Sequence, residues 1–299
     1  MEKTDATAVK RPPAIHTNRL GKRGGQRAAD IAAFIVLLLF AAFAMLPIWW
    51  IFRTSLMTNT EAVRYPPSFF PSQWLFSNYA RTLQTYDFPL YLKNSMIIIV
   101  PSVVFGTITA TFCGYSFARL RFRGKKFVFM LCVGSMLLPT MVTLIPLYIF
   151  WTKGLGLTDS YLPLILPYLC GGGAFNIFLI RQFISSIPRE LDEAAKIDGA
   201  GPFRILVSIL LPSIRSAIIV VALFLFITLW NDLLQQTVYI HSEAKHTIAI
   251  AITRFTSATD NDYSKTMCAT CMSFVPGIII YLLGQRYFVE GIVMTGMKN

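Results

Sequence analysis

Residues 189–201 read Arg-Glu-Leu-Asp-Glu-Ala-Ala-Lys-Ile-Asp-Gly-Ala-Gly, and eight residues later the chain runs Ile209-Leu210-Leu211-Pro212. This is a long polar insertion in an otherwise apolar chain, and it reads as a short helix with defined ends. Pro188 suits a first helical turn, where a missing amide donor costs nothing. Glu190, Asp192 and Glu193 then put negative charge at the positive end of the helix dipole. Gly199 is a natural stop, since glycine takes the left-handed conformation that ends helices. The spacing predicts a helix over Arg189–Gly199, about eleven residues and roughly 16 Å long. Ala194 and Ala195 keep part of its surface low, so another backbone can approach closely. A helix this short is marginal in water alone and expects a docking surface.

Outward from this insertion the chain is hydrophobic. Of 299 residues 55% are hydrophobic and 14% charged, with a mean hydropathy of +0.56, which excludes an ordinary soluble domain. Charge-free stretches occur at Ile31–Phe52, Asn94–Ala118, Phe127–Thr152, Tyr161–Ile180, Ser216–Asn231 and Thr266–Gln285. A membrane span needs ~20 mostly apolar residues. Five stretches reach that length. Ser216–Asn231 is shorter but continues past Asp232 into Leu233 and Leu234. The expected fold is an all-α membrane protein with six transmembrane helices and a short cytoplasmic coupling helix between helices 4 and 5.

Lys and Arg placement sets the orientation. Most of the 27 basic residues lie before the first span, between the second and third, and between the fourth and fifth. Both termini are therefore expected in the cytoplasm. The net charge of +12 reflects this topology and attraction to anionic membrane lipid. No basic surface interleaved with exposed aromatics suggests nucleic acid. Residues 1–27 read as a disordered, basic cytoplasmic tail, 28–290 as the six-helix domain and 291–299 as a cytoplasmic C-terminal tail. Ile31–Phe52 is too long for a cleaved signal peptide.

The sequence carries no chemistry of its own. Gly124-Lys125-Lys126 lacks the glycine spacing and hydroxyl of a phosphate-binding loop. The three histidines, His16, His241 and His246, are scattered, and no nucleophile elbow appears. Cys268-x-x-Cys271 is one pair without further ligands, and all five cysteines sit in apolar stretches, where thiols pack as small hydrophobes. No enzyme activity, metal site or bound cofactor is expected.

The Glu193-Ala194-Ala195, Gly199 and Ile209-to-Pro212 pattern resembles the loop by which permease subunits of binding-protein-dependent ABC importers grip their ATPase. The likeness extends further. Gly114-Tyr115-Ser116-Phe117-Ala118-Arg119-Leu120, Met136-Leu137-Leu138-Pro139, Phe178-Leu179-Ile180-Arg181, Trp230-Asn231-Asp232 and Gln285-Arg286-Tyr287 are similar to the carbohydrate branch, the maltose and glycerol-phosphate importers above all. The resemblance implies an inner-membrane permease of a bacterial or archaeal cell, paired with a second homologous permease, two ATPase subunits and an extracytoplasmic solute-binding protein. ATP and Mg would be bound by the ATPase subunits. It implies that Glu190, Glu193, Ala194, Ala195, Asp198, Gly199, Ile209 and Pro212 couple to the ATPase, with Pro212 a rigid joint to the fifth span.

Polar groups in or near spans are the solute-path candidates, because the bilayer penalises them elsewhere. Asn231, Asp232, Gln235 and Gln236 form the densest group, with Asn94, Ser95 and Asn176 behind them. The alternative is an interfacial Trp230 with a snorkelling Asp232. Gln235 and Gln236 depart from the branch, which usually carries Trp and Pro there, and leave the sugar open. A polyol phosphate, peptide or polyamine importer is the alternative within the class. A secondary transporter or membrane enzyme is the alternative outside it. The apolar stretches show neither internal repeats nor matched broken helices. Pro139, Pro146 and Gly171-Gly172-Gly173 mark places where helices 3 and 4 can bend.

Overall fold

The computed structural model describes residues 24–257 and 262–296; among them every regular element is helical. The chain divides into two compact units, residues 1–50 and residues 51–299. The elements in order are α1 (Gly24–Ser55), α2 (Asn59–Ala62), α3 (Ser77–Thr85), α4 (Phe88–Arg119), α5 (Lys125–Gly134), α6 (Thr140–Ile149), α7 (Leu162–Leu169) and α8 (Ala174–Ser186). There follow α9 (Glu190–Ile197), α10 (Pro202–Ile205), α11 (Leu211–Ser213), α12 (Arg215–Trp230), α13 (Leu233–Tyr239), α14 (Ile248–Ser257) and α15 (Tyr263–Gly296). Helix α1 begins inside the stretch expected to be a tail, and α15 continues through most of the expected C-terminal tail. Residues 1–23 and 297–299 of those tails lie outside the described residues.

Four helical segments are long and apolar enough to cross a membrane: Ala29–Ser55, Phe88–Arg119, Leu162–Ser186 and Tyr263–Tyr287. Two bent pairs, Lys125–Leu137 with Thr140–Gly154 and Pro202–Ser213 with Arg215–Trp230, raise the number to six if each is one span.

Breaks interrupt the apolar helices, two of them where the sequence marks bends. Between α5 and α6 the axes turn by 102° at Leu138-Pro139. The residue before a proline is pushed out of the helical region, and Leu138 has ψ 119°. Pro146, by contrast, stays inside α6. Between α7 and α8 stand Gly171, Gly172 and Gly173, with φ of 102°, 63° and 96°, a run of left-handed backbone open only to glycine. Between α12 and α13, Asn231 and Asp232 leave the helix and Asp232 caps the next one.

Irregular backbone at membrane depth is tolerated where protein satisfies it. At the glycine break Gly171 N–H donates to Thr109 Oγ1 (2.9 Å), Gly172 N–H to Tyr168 O (2.9 Å), and Asn176 Nδ2 to Gly172 O (2.6 Å). The Asn176 amide nitrogen thus holds the break, while its buried Oδ1 has no hydrogen-bond partner among the described residues.

The largest core lies at the end of the fold where α4, α8, α9, α10 and α12 converge. Ile180, Ile184, Ile205, Leu206, Leu210 and Ile214 are fully or almost fully buried there with Tyr115, Ala195 and Val221. Each such aliphatic side chain contributes about 1.5–3 kcal/mol over leaving it in water. The polar insertion is therefore anchored rather than loose.

Candidate functional site

The insertion is a helix, a capped turn and a return. Helix α9 covers Glu190–Ile197, eight residues and about 12 Å, shorter than expected at both ends. Arg189 serves as its N-cap without a side-chain bond. Its C-terminus closes as a Schellman turn: Gly199 N–H donates to Lys196 O (3.0 Å) and Ala200 N–H to Ala195 O (2.9 Å), with Gly199 at φ 79°. The expected role of Gly199 as the helix stop is met.

The two alanines part company. Ala195 is buried in the core beneath, whereas Ala194 is exposed. Only Ala194 leaves room for an incoming backbone, so the smooth outer surface expected of both alanines belongs to one. Glu190, Glu193 and Asp198 are exposed and make no ion pair among the described residues. Three large apolar side chains stand beside them: Ile197 at 88% exposed, Phe203 at 67% and Leu191 at 48%. Ile197 therefore buries almost none of its apolar surface within this chain. Sequence reasoning misses all three, because it counts motif positions and not the apolar residues between them.

The return passes through α10 and a π-helical turn, Leu206–Leu210, which lodges Leu206 and Leu210 in the core with Ile209 half-buried against it. Pro212 lies in α11, and the axis then turns by 79° across Ile214 into α12. The sharp joint falls two residues after Pro212.

Helix α4 forms the bed of the insertion. Gly114 lets α4 lie close against α8, since a Cβ there would stand 2.6 Å from Ile180 Cγ2 and 3.0 Å from Arg181 N. One residue on, Tyr115 donates through Oη to Pro202 O (2.9 Å). A turn later Arg119 Nη2 donates to Ile187 O (2.8 Å), and Arg119 Nε lies 2.7 Å from Asp192 Oδ2. Both side chains of that pair are almost wholly buried. A cavity of about 400 Å³ opens beside them, lined among others by Arg119, Arg121, Arg189, Asp192, Glu193 and Lys196. The Gly114–Leu120 stretch thus has a local physical reason: one face of a helix end that seats the polar loop.

The polar group after α12 is divided by the structure. Asn231 is exposed and donates through Nδ2 to Ile227 O (2.9 Å). Asp232 accepts from Gln235 N–H (3.1 Å) as N-cap of α13, a capping signal present in the sequence as Asp-Leu-Leu-Gln. Gln235 is half-buried. Gln236 is buried, with Nε2 donating to Leu229 O (3.0 Å) and Oε1 accepting from Thr247 Oγ1. Its amide is already engaged within the fold. Asn94 and Ser95 are likewise spent internally: Asn94 Nδ2 donates to Ala244 O and His246 O (both 2.9 Å), and Ser95 Oγ accepts from Ile248 N–H (3.1 Å).

The same 241–246 segment is gripped from the loop before α7. Asp159 accepts from His241 N–H (2.9 Å), Ser242 N–H (3.1 Å) and Ser242 Oγ (2.7 Å), and pairs with Lys245 Nζ (3.1 Å). These bonds, that from the His241 amide first, hold its carboxyl well below the usual carboxylate range. Tyr161 Oη adds a bond to Lys245 O (3.1 Å). Among the described residues no group of His, Cys, Asp or Glu could hold a metal ion. Cys268 is buried and donates through Sγ to Ser55 O (3.2 Å).

The family pattern of the binding-protein-dependent transport system inner membrane component matches residues 102–292. An ABC transporter permease protein of Caldicellulosiruptor sp. (strain Rt8B.4) is 32% identical over 266 residues, 89% of this chain and 96% of that protein. A diacetylchitobiose uptake system permease protein of Streptomyces coelicolor is 28% identical over 263 residues, 87% of this chain and 86% of that protein. A chain in the crystal structure of a bacterial ABC transporter involved in the import of the acidic polysaccharide alginate matches with a TM-score of 0.75 at 25% identity, over 90% of this chain and 99% of that one.

Proposed function

The chain belongs to the family of binding-protein-dependent transport system inner membrane components, and from that premise we propose that it forms part of the path by which an ATP-driven importer moves sugars or oligosaccharides. The observation that carries this reading is the anchored α9 with its outward face: Ala194, Leu191 and Ile197 exposed among exposed carboxylates, above a buried core. A surface built in that way suits insertion into a second protein. A permease moves solute uphill only if a partner biases its two conformations differently. Two ATPase subunits supply that bias, and they hold the ATP and Mg; this chain binds no cofactor and catalyses no reaction. A second homologous permease completes the path, and an extracytoplasmic solute-binding protein delivers the solute. Six spans with both termini in the cytoplasm, in the inner membrane of a bacterial or archaeal cell, fit the charge distribution and put α9 on the ATPase side.

Sugar is the favoured solute because a diacetylchitobiose permease and an alginate importer stand among the similar proteins. The break at Asn231–Asp232, with Gln235 one turn on, offers the solute amides and a carboxylate. Gln236 supports that break from behind.

The test is purification of the tagged chain from its own host and reconstitution of what accompanies it. An ATPase with a phosphate loop and a second permease should copurify, and the complex in vesicles should take up labelled oligosaccharide only with ATP. Uptake by the chain alone, driven by an ion gradient, would instead support a secondary transporter.

A further inference from the structure

Arg119 and Asp192 form a buried ion pair between the end of α4 and the middle of α9, at 2.7 Å and with side chains only 6% and 10% exposed. Such pairs are weak devices for stability, because desolvation offsets much of their attraction. This one is also incompletely satisfied: Arg119 Nε lacks the alignment of a hydrogen bond, and Asp192 Oδ1 has no partner among the described residues. An apolar pair in the same core would hold the fold as well. What the charged pair adds is a fixed position.

The surrounding contacts say which position. Tyr115 and Arg119 are four residues apart, so they lie on one face of α4. From that face Arg119 reaches Ile187 O, just before α9, and Asp192 within it, while Tyr115 reaches Pro202 O, just after it. One helix face grips the entry, middle and exit of the loop. Lys125 Nζ, bonded to Leu120 O (2.8 Å), fastens the chain immediately beyond α4.

We propose that the Arg119–Asp192 pair, backed by Tyr115, is a positioning device that makes α9 move as one body with the end of α4, and that it sets how much solute moves for each ATP consumed. This rests on the proposed function, because only an ATP-driven permease has such a ratio to set.

The experiment uses the complete complex in vesicles and measures solute transported per ATP hydrolysed. Asp192→Asn and Arg119→Met should still assemble and hydrolyse ATP, but the ratio should fall about ten-fold, the scale of a lost coupling contact. Asp192→Glu keeps the charge and should retain most of the ratio. If either single variant fails to assemble, the double variant Arg119→Met with Asp192→Leu removes the stranded charge, and should assemble with the ratio still reduced. Assembled variants with the wild-type ratio would overturn the proposal, since a merely structural pair would alter melting temperature and leave the ratio alone. Failure of the proposed function looks different: the unaltered chain would neither bind an ATPase nor use ATP.

Discussion

Gly106 and Gly172 meet backbone to backbone: a Cβ on Gly172 would stand 2.8 Å from Gly106 O, and one on Gly106 would stand 3.3 Å from Gly172 Cα. This contact seats the break between α7 and α8 directly against α4. It explains why the break needs glycine for space as well as for backbone conformation.

A comparison within the glycine run separates the two requirements. Gly172→Ala meets both a left-handed φ of 63° and the Gly106 backbone, whereas Gly173→Ala meets a φ of 96° but nothing within 4 Å. Positive-φ backbone costs an alanine of order 1–3 kcal/mol at either position, Gly173 having ψ 152°, and the backbone clash met only at Gly172 adds overpacking of about 1–3 kcal/mol. Thermal unfolding in detergent should therefore show a clearly lower Tm for Gly172→Ala than for Gly173→Ala. Equal Tm values would remove the close contact from the account.

At the end of α9 the cost is strain alone. Gly199 has φ 79°, and a Cβ there would meet nothing within 4 Å, so Gly199→Leu finds room but not an easy backbone. Transport should fail while membrane insertion persists, because the Schellman turn that aims Ile197 is lost. Near-normal uptake at normal expression would show that this turn does not position the docking surface.

Gln235 and Gln236 should separate by phenotype. Gln236→Leu strands Leu229 O and the Thr247 hydroxyl in a buried site, which costs about 1–3 kcal/mol for an unmade bond. Stability of the purified protein should fall. Gln235→Leu breaks no side-chain bond of that kind, and should leave stability alone while lowering uptake or shifting preference among sugars. Unchanged uptake of every sugar tested would place Gln235 outside the solute path.

The Asp159 staple should resist acid. Its carboxyl pKa is depressed in the folded state, so its contribution is present above the unfolded value of about 3.9 and fades only as pH falls through the lower folded value. Hydrogen exchange at the His241 and Ser242 amides should stay slow from pH 7 to about pH 5, well above both titrations. Asp159→Ala should raise exchange at both amides throughout that range. Fast exchange in the unaltered protein at pH 5 would contradict the staple.

Much of this fold is legible in the sequence because a membrane imposes simple rules. Charge-free stretches locate the helices, and Gly199 announces the end of α9 through its backbone freedom. Pro139 and the three glycines mark places to break, yet the groups that seat the glycine break, Thr109 and Gly106, lie far away in sequence. Asp232 reads as a path group or as a snorkelling interfacial residue, and its use as the cap of α13 appears only with the start of that helix. The amide of Gln236 reads as open to solute until Thr247, eleven residues on, folds back onto it. Ala195 reads as part of a docking surface because motif position says nothing of which way a helix faces. The exposure of Ile197 has the same origin: the core beneath α9 takes Ala195 and leaves Ile197 outside.

The most direct test of the account is site-specific cross-linking from α9 to the ATPase subunit in the assembled complex. With the native cysteines removed, Ile197→Cys and Ala195→Cys would each be treated with a short thiol cross-linker. A cross-link to the ATPase is expected from position 197, and little or none from the buried position 195. A complex that transports solute yet gives no ATPase cross-link from position 197 would contradict it.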